Sequence, residues 1–354
     1  MLADKAYKIS REDQLTPAPP LSTELEIRPT LVDALAFDEL PNELHFVRSH
    51  FGVPAFDPDT WTLQIDGAVR NERSHSISEL RERHVRSQTV VLECAGHRRN
   101  EYQPNTAGLQ WGVGAVSEAQ WTGVPLSDLL REASPTSGAC EVVFEGADRG
   151  PHRSTSGQVT FARSIPLQRA LAGDVLLAWE MNGHPLPAKH GAPLRLVVPG
   201  SYAVASVKWL RRITVLEQPF AGPFQADDYQ INGEPLNGLK VNSLIVKPGD
   251  SSAVPAGTTE VSGVAWCGQG GIDSVEVRCA GGPWQRAVVD VPQQATALHH
   301  WSVRFALPPG EHSLEARAYD RSGTRQPEQA PWNELGYANN SIHRILIRCT
   351  AETA

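Results

Sequence analysis

The stretch 90-VVLECAGHRRN-100 leads from a run of strand-forming residues into a glycine-containing loop with three basic side chains. Cys94 stands where the strand ends, and binding and catalytic residues are common at such positions. Arg98 and Arg99 follow closely, and nearby positive charge favours the thiolate of Cys94 over its thiol. A thiolate is both a nucleophile and a soft ligand for transition metals, whereas most free cysteines are small buried hydrophobes. This stretch alone leaves three roles open for Cys94, and packing is the commonest of them.

The overall composition limits the possible partners. The chain has 354 residues and a formal net charge of -8. That length is enough for about two domains. The net negative charge provides no overall positive potential that would attract nucleic acid or an anionic membrane. No apolar run approaches the roughly 20 residues of a membrane helix, and the first residues lack the basic-then-apolar order of a secretory signal. We therefore expect a cytoplasmic protein with no nucleic-acid and no membrane partner.

The cysteines do not indicate a disulfide framework or a structural zinc site. There are five of them, an odd number, and none belongs to a CxxC pair. Cys267 and Cys279 could meet across paired strands, but two reduced thiols are the simpler interpretation.

The hydrophobic pattern divides the chain into three segments. Residues 1–40 are rich in proline and polar side chains and are expected to form an arm on the surface. Residues 41–235 mix strand and helix patterns, for example a strand at 88–94 and a helix at 125–133. Residues 236–354 show short strands separated by turns, which is typical of an immunoglobulin-like β-sandwich. The expected fold class is α+β and mostly β, with a mixed α/β domain before the sandwich.

Basic side chains of the middle segment occur at strand ends and in loops, at 48–50, 97–99, 190–195 and 206–208. The planar fork of arginine suits oxyanions and phosphates. In a chain of net negative charge, these groups predict local anion sites for a phosphorylated cofactor and a small oxyanion. Asp148 could accept hydrogen bonds from a heterocyclic cofactor.

Eight motifs, taken together and in order, resemble the sulfite oxidase family of molybdenum enzymes in its compact bacterial form. They are FVRSHFGVP (46–54), LECAGHRRN (92–100), GLQWGVGA (108–115), FEGAD (144–148), EMNGHPLPAKHGAPLRLVVPG (180–200), SVKWLRRI (206–213), GVAWCG (263–268) and PWNELGYANNSIHR (331–344). The resemblance covers residues 40 to 350. It implies a molybdopterin-binding catalytic domain over 41–235 and a dimerisation domain over 236–354, hence a homodimer.

The resemblance also implies the site. Cys94 becomes the thiolate ligand of a molybdenum ion held by molybdopterin. The implied cofactor-binding residues are Phe46, Val47, Arg48, Ser49, His50, Cys94, Asp148, His190, Arg195, Ser206, Val207 and Lys208. The implied catalytic residues, which line the substrate pocket, are Cys94, Arg48, Arg99, Trp111 and Tyr229.

The expected activity is oxidation of sulfite to sulfate, with electrons passed to an external acceptor. The first forty residues are too few for a cytochrome b5-like domain, so we expect no haem. Two alternatives stay open: a reductase that acts on nitrate or a sulfoxide, and a metal-binding scaffold without turnover.

The substrate side departs from the family pattern at three positions. Ala107 replaces a lysine of the animal enzymes, Leu335 replaces an arginine, and Glu334 beside it is acidic. If this loop faces the metal, the pocket has lost positive charge, and sulfite binds weakly. The other interpretation is that Glu334 is a solvated charge and Leu335 packs in the sandwich core.

Overall fold

The computed structural model describes residues 25–351, which fold into two compact units. Unit 1 comprises 25–28, Val47–Gln88 and Ala119–Asn237, and unit 2 comprises Pro29–Phe46, Thr89–Glu118 and 238–351. These units differ from the continuous segments expected from the sequence, because two stretches from the first half of the chain belong with the C-terminal strands. As functional domains, the segments 1–40, 41–235 and 236–354 stay a prediction, and 1–24 and 352–354 lie outside the described residues.

Unit 1 is built mainly from strands, with short helices between them. Its strands are β1 (Ile27–Arg28), β2 (Val47–Arg48), β3 (Thr62–Gly67), β4 (Arg73–Ser76), β7 (Glu141–Pro151), β8 (Gln158–Pro166), β9 (Leu176–Met181), β10 (His184–Pro185), β11 (Arg195–Val197), β12 (Leu210–Leu216), β13 (Gln230–Ile231) and β14 (Glu234–Pro235). Its helices are α1 (Ile77–Arg81), α2 (Leu126–Ala133), α3 (Leu167–Ala170) and α4 (Pro223–Ala226). Two further strands, β5 (Arg86–Glu93) and β6 (Val116–Pro125), continue from one unit into the other. Among residues 25–351, no helix is long and apolar enough to cross a membrane.

The larger sheet of unit 1 has the order β4-β3-β12-β7-β8, with β3 and β12 parallel and the other neighbours antiparallel. Buried and more exposed side chains alternate along these strands, as in β3, where Leu63 and Ile65 are fully buried. Pairing of β7 with β8 shifts register between Glu145 and Arg149. Such a bulge redirects a side chain, and here it carries Asp148.

A second group of strands in unit 1 centres on β9. This strand reads LLAWEM, is almost wholly buried, and pairs antiparallel with β10, β11 and the last residues of β6. Strands buried on both faces have such continuous apolar sequences. Because β11 pairs with β9, the backbone of Arg195 lies opposite Ala178, inside the unit.

Unit 2 contains a β-sandwich of two sheets, ordered β15-β17-β21-β20 and β16-β23-β22-β18-β19. The strands are β15 (Asn242–Lys247), β16 (Ser252–Pro255), β17 (Gly257–Trp266), β18 (Ile272–Cys279), β19 (Gln285–Arg286), β20 (Val288–Val289), β21 (His299–Leu307), β22 (Gly310–Asp320) and β23 (His343–Thr350). Inward residues of both sheets form one core that includes Val261, Val275, Trp301 and Ile347. The predicted mostly β chain with a C-terminal sandwich is confirmed, and all five cysteines are free thiols.

The described part of the predicted N-terminal arm is not confined to the surface. The 3-10 turn Val32–Ala36 packs against β15 and β17, and Ala34 and Leu35 are buried. The expectation failed there because two apolar residues within a polar stretch are enough to bury one turn of chain.

Candidate active site

The predicted site residues fall in both units. Unit 2 holds Phe46, Cys94, Arg99 and Trp111. Unit 1 holds Val47, Arg48, Ser49, His50, Asp148, His190, Arg195, Ser206, Val207, Lys208 and Tyr229.

In unit 2, Cys94 follows β5 at the start of a tight turn. Its backbone N–H donates to the carbonyl of Ala115, and its own carbonyl accepts from the N–H of His97, both over 2.9 Å. Cys94 is 8% exposed. Backbone bonds on both sides of the cysteine therefore fix where its side chain leaves the chain.

A buried side-chain pair joins the two ends of this turn. Nδ1 of His97 lies 2.8 Å from Oε1 of Glu93, and Nε2 of His97 donates to the carbonyl of Val113 over 3.0 Å. Oε2 of Glu93 also accepts from the indole N–H of Trp266 over 2.9 Å. A fully hydrogen-bonded buried network is rigid, so it holds the turn that carries Cys94 in one conformation.

The two arginines after the turn have different environments. Arg98 has a left-handed backbone (φ 56°), and its guanidinium pairs with both carboxylate oxygens of Glu101, at 2.8 and 2.7 Å. It also donates to the carbonyls of Ser341 and Ile342. The expectation that both arginines place free charge beside Cys94 is therefore wrong for Arg98, because a carboxylate neutralises it.

Arg99 has no carboxylate partner among the described residues. Its Nε donates to the carbonyl of Gly336 over 3.2 Å, and its Nη1 donates to the carbonyl of Leu109 over 3.1 Å. Two glycines make room for the guanidinium: an added Cβ would lie 3.0 Å from Nη2 at Gly96 and 2.5 Å from Nη1 at Gly108. Nη2 makes no hydrogen bond within residues 25–351, so this cation is fixed in place with one end free for an anion.

Trp111 and Phe46 pack against each other in unit 2. Their rings meet edge to face with centroids 6.5 Å apart, and both residues are buried. The carbonyl of Trp111 accepts from the N–H of Asn100, directly after Arg99. Trp111 is thus bonded to the segment that carries Arg99, as expected for a residue that lines an anion pocket around Arg99.

The loop 331-PWNELGY-337 contacts Arg99 through the carbonyl of Gly336 and the ring of Tyr337, whose centroid lies 4.9 Å from Cζ of Arg99. Glu334 is exposed and Leu335 is half-buried. Leu335 is not part of the sandwich core described above. The loop therefore adjoins the candidate anion site, which favours the interpretation that it faces the site over the one that packs Leu335 in the sandwich core. Ala107 is also exposed.

In unit 1, basic side chains surround Ser49. Lys208 Nζ donates to Oγ of Ser49 over 2.8 Å and to the carbonyl of Lys189 over 3.0 Å, and Arg48 donates to the carbonyl of Ser49. Burial, and after it the nearby charge of Arg195, lower the pKa of Lys208 to about 7. We call Arg48, Arg195 and Lys208 the basic cluster. It is a place where an anion would relieve repulsion among buried cations.

Asp148 lies next to Lys208 on the bulge of β7. A Cβ at Gly146 would meet both Oδ1 of Asp148, at 2.5 Å, and the carbonyl of Lys208, at 2.8 Å. Oδ1 is buried and has no hydrogen-bond partner among the described residues. Burial raises the pKa of Asp148 to about 7, against the opposing effect of Lys208. An unsatisfied buried carboxylate oxygen indicates a missing donor.

Within residues 25–351, the hydrogen bonds of the Arg195 guanidinium go to backbone carbonyls. Nη1 donates to the carbonyl of His190 over 2.7 Å, Nη2 donates to that of Ser206 over 3.2 Å, and the guanidinium stacks on Trp121 at 4.5 Å. Burial lowers the pKa of Arg195 to about 9. Val207, Ser206 and His190 thus shape the backbone around this cation, and Val207 accepts from the N–H of Leu196 over 2.8 Å.

His50 and Tyr229 form a second polar contact in unit 1. Nε2 of His50 lies 2.6 Å from the hydroxyl of Tyr229, and Tyr229 has a left-handed backbone (φ 51°). Burial lowers the pKa of His50 well below its usual value, and the charges of Arg48 and Lys208 add to this effect. A non-glycine residue held in this strained conformation next to a neutral imidazole is typical of a functional site.

These residues fit a phosphorylated pterin. Asp148 offers an unsatisfied acceptor to ring N–H groups, and Arg48 and Arg195 form no ion pair within residues 25–351. Arg28, which the sequence analysis missed, shares this property: its Nε and Nη2 are buried without a partner, and β1 pairs its backbone with Val47. A single basic residue in a polar N-terminal stretch does not indicate a binding site. The pairing of β1 with β2, which places Arg28 beside Val47, is not visible in the local sequence.

The basic cluster predicts a conflict between stability and cofactor binding. The folded pKa of Lys208, about 7, lies below the unfolded value of 10.5, so the unfolded chain binds more protons between these pH values. Lys208→Met should therefore stabilise the cofactor-free protein by about 1–3 kcal/mol near neutral pH and below. The gain in stability should shrink as pH rises from about 7 to 10.5. The same variant should retain less cofactor than the parent, because it lacks the Lys208 cation.

Denaturant unfolding of the cofactor-free protein near pH 6.5 and pH 9.5 measures this difference. A methionine variant less stable than the parent near pH 6.5 would show that the hydrogen bonds of Lys208 to Ser49 and Lys189 outweigh its burial.

Comparison with known proteins gives matches over most of the chain. Residues 50–224 match the family model of the oxidoreductase molybdopterin binding domain, and residues 234–350 match that of the Mo-co oxidoreductase dimerisation domain. Chicken sulfite oxidase is 37% identical over 334 residues, which cover 86% of this chain and 72% of the chicken protein. Human mitochondrial sulfite oxidase is 36% identical over 87% of this chain.

The relatives also differ from this chain in length and activity. The chain spans about three fifths, 61%, of the length of human sulfite oxidase. The rice nitrate reductase [NADH] 1 is 32% identical over 87% of this chain and 38% of its own length. Among solved structures, the sulfane dehydrogenase SoxCD of Paracoccus pantotrophus matches with a TM-score of 0.81 at 26% identity, over 98% of this chain and 89% of that one.

Proposed function

Because this chain belongs to the sulfite oxidase family of molybdenum-dependent oxidoreductases, we propose that it oxidises sulfite to sulfate and passes the electrons to an external acceptor. The observation that carries the substrate class is Arg99, a fixed cation without a carboxylate partner in the described chain, five residues after Cys94. Its chemistry suits a small oxyanion.

In this proposal, Cys94 is the protein ligand of molybdenum. The turn 93–97 supports the assignment, because backbone bonds and the Glu93–His97 pair fix the direction of the thiol. A preset ligand direction lowers the cost of ordering a metal site.

Arg48, Arg195 and Lys208 bind the phosphate of the pterin, and Asp148 accepts from its ring N–H groups. His50, Ser49, Val47, His190, Ser206 and Val207 shape the backbone and walls of this cofactor site, and Phe46 lines it. The support is the buried, unpaired charge of the basic cluster together with the unsatisfied Oδ1 of Asp148.

The bound cofactor supplies oxygen-atom transfer and takes up two electrons. The balance is sulfite plus water to sulfate, two protons and two electrons. Arg99 and Arg48 hold the anion, and Trp111 excludes water beside it. Tyr229 donates a hydrogen bond to the anion, and Nε2 of His50, 2.6 Å from the hydroxyl of Tyr229, orients that hydroxyl.

The test is a steady-state assay of the purified protein with sulfite and with nitrate, using artificial electron carriers and parallel molybdenum analysis. Sulfite oxidation by the molybdenum-loaded protein supports the proposal. Nitrate reduction without sulfite oxidation replaces it with the second candidate, and a folded protein free of molybdenum supports the scaffold.

Nitrate reduction is the second candidate because Ala107 and Leu335 supply no charge near Arg99, and a nitrate reductase is among the relatives. Nitrate carries a single negative charge, so it needs fewer cations than sulfite does.

If sulfite is the substrate, Leu335→Arg should lower its KM about tenfold with little change in kcat. A fixed positive charge binds ground state and transition state alike, and one charge-assisted contact to an anion contributes about 1.5–3 kcal/mol. Leu335→Gln is the matched control, since it adds polarity without charge. Equal KM values for all three proteins would remove residue 335 from the site.

We also propose a homodimer formed through residues 236–354, supported by the match of 234–350 to a dimerisation domain. The cytoplasmic location stays a prediction.

A further inference from the structure

The orientation of the Arg99 guanidinium is set by the loop 331–337. Nε is committed to the carbonyl of Gly336 and one hydrogen of Nη1 to the carbonyl of Leu109. An anion therefore cannot use the Nε edge of the fork. It must contact the end formed by Nη1 and Nη2, where Nη2 has no partner among residues 25–351.

Tyr337 supports the guanidinium from its side. Cζ of Arg99 lies 4.9 Å from the centroid of the Tyr337 ring, and Tyr337 is 7% exposed. A cation over a buried aromatic face is attracted by the ring quadrupole, and the attraction grows where water is excluded. The ring also blocks one face of the guanidinium, so Arg99 cannot swing away from its carbonyl acceptors in that direction.

Hydrogen bonds to its backbone hold Tyr337 in place. Its carbonyl accepts from the hydroxyl of Tyr102 over 2.9 Å and from Nδ2 of Asn333 over 2.8 Å, and its N–H donates to Oδ1 of Asn333 over 2.9 Å. Asn333 thus closes the loop across four residues. Tyr102 belongs to the segment directly after Arg99, so the loop is fastened to the same stretch of chain that carries the cation.

From this arrangement we infer that Tyr337 and Asn333 are positioning residues that set the oxyanion affinity of the site through Arg99. The inference rests on the proposed function, in which Arg99 binds the substrate anion. It adds that affinity depends on Tyr337 and Asn333, which act through Arg99. It also assigns the substrate class to oxyanions with two oxygens spaced to bridge Nη1 and Nη2.

The experiment compares Tyr337→Leu, Tyr337→Phe and Asn333→Ser with the parent protein. Sulfate binding to each purified protein is measured by titration calorimetry, and KM and kcat for sulfite are measured separately. Tyr337→Leu removes the ring, and sulfate binding should weaken about three- to tenfold, with KM rising in parallel and kcat within about twofold. Tyr337→Phe keeps the ring and should stay close to the parent.

Asn333→Ser keeps the Tyr337 side chain but removes the two hydrogen bonds between the Asn333 side chain and the backbone of Tyr337. It should shift sulfate affinity in the same direction as Tyr337→Leu, and it keeps the test open if the leucine variant fails to fold. Trp332→Phe is the matched control in the same loop, because within residues 25–351 the indole of Trp332 bonds only to the carbonyl of Pro104. It should leave both constants unchanged.

Arg99→Gln separates the proposed role of Arg99 in anion binding from the positioning role of Tyr337 and Asn333. If this variant binds sulfate as the parent does, the proposed function of Arg99 is wrong. If Arg99→Gln weakens binding while Tyr337→Leu and Asn333→Ser do not, the loop does not position Arg99 and the inference is overturned. Equal losses in Tyr337→Leu and Tyr337→Phe would also overturn it, because the effect would then come from the hydroxyl and not from the ring.

Discussion

Replacing Cys94 with serine is expected to lower sulfite turnover by more than about a hundredfold while the protein stays folded. The serine hydroxyl is protonated at neutral pH and is a poor ligand for a metal that prefers thiolate sulfur. The backbone bonds of Cys94 to Ala115 and His97 do not involve the sulfur, so serine can keep them. Steady-state rates per molybdenum and thermal unfolding of the variant measure the two effects separately.

Cys140→Ser is the control for this substitution, since Cys140 is an exposed free thiol in unit 1. It should keep the parent's rate. Parent-like rates for the Cys94 variant would reject Cys94 as the metal ligand.

Replacing Gly108 with alanine is expected to raise the KM for sulfite about ten- to a hundredfold. The added Cβ would lie 2.5 Å from Nη1 of Arg99, and Gly108 has a left-handed backbone (φ +101°) that alanine rarely adopts. Arg99 must then leave its carbonyl acceptors, and one charge-assisted contact to the anion, about 1.5–3 kcal/mol, is lost. Sulfite kinetics and sulfate titration give the size of the loss.

Gly112→Ala is the matched control for Gly108→Ala. A Cβ at Gly112 has its nearest neighbour, Nδ2 of Asn100, at 3.7 Å, which is ordinary contact. Both glycines lie in the segment that follows Arg99, but only Gly108 has a left-handed backbone, so the two variants differ in backbone strain as well as in their effect on the guanidinium. Similar KM values for both would show that Arg99 does not need its present orientation.

Local patterns predicted many elements because the forces that form them are local. The helix predicted at 125–133 matches α2 (Leu126–Ala133), and the strand predicted at 88–94 matches β5 (Arg86–Glu93). The short strands predicted within 236–354 also match the structure. By contrast, β6, β8 and β12 were not predicted, because their sequences mix polar and apolar residues and pairing partners decide their state.

The site was predictable as a set of residue types but not as a geometry. Arg98 and Arg99 are neighbours with the same side chain, and both were expected to favour the thiolate of Cys94, although only Arg99 was expected to line the substrate pocket. The left-handed backbone at Arg98 sends one guanidinium to Glu101 and the other to Gly336. Tyr337 was within a quoted motif, yet its stacking under Arg99 depends on a contact across more than two hundred residues. Tertiary packing, which no short window contains, decides such contacts.

The central claim is that Cys94 holds molybdenum in a molybdopterin site. The most direct test is the molybdenum and pterin content of the purified protein, together with the number of sulfur neighbours of the metal from X-ray absorption. The account predicts near-stoichiometric molybdenum and pterin, and one sulfur neighbour fewer in Cys94→Ser than in the parent. A folded protein without molybdenum from molybdenum-replete cells, or the same number of sulfur neighbours in both proteins, would contradict it.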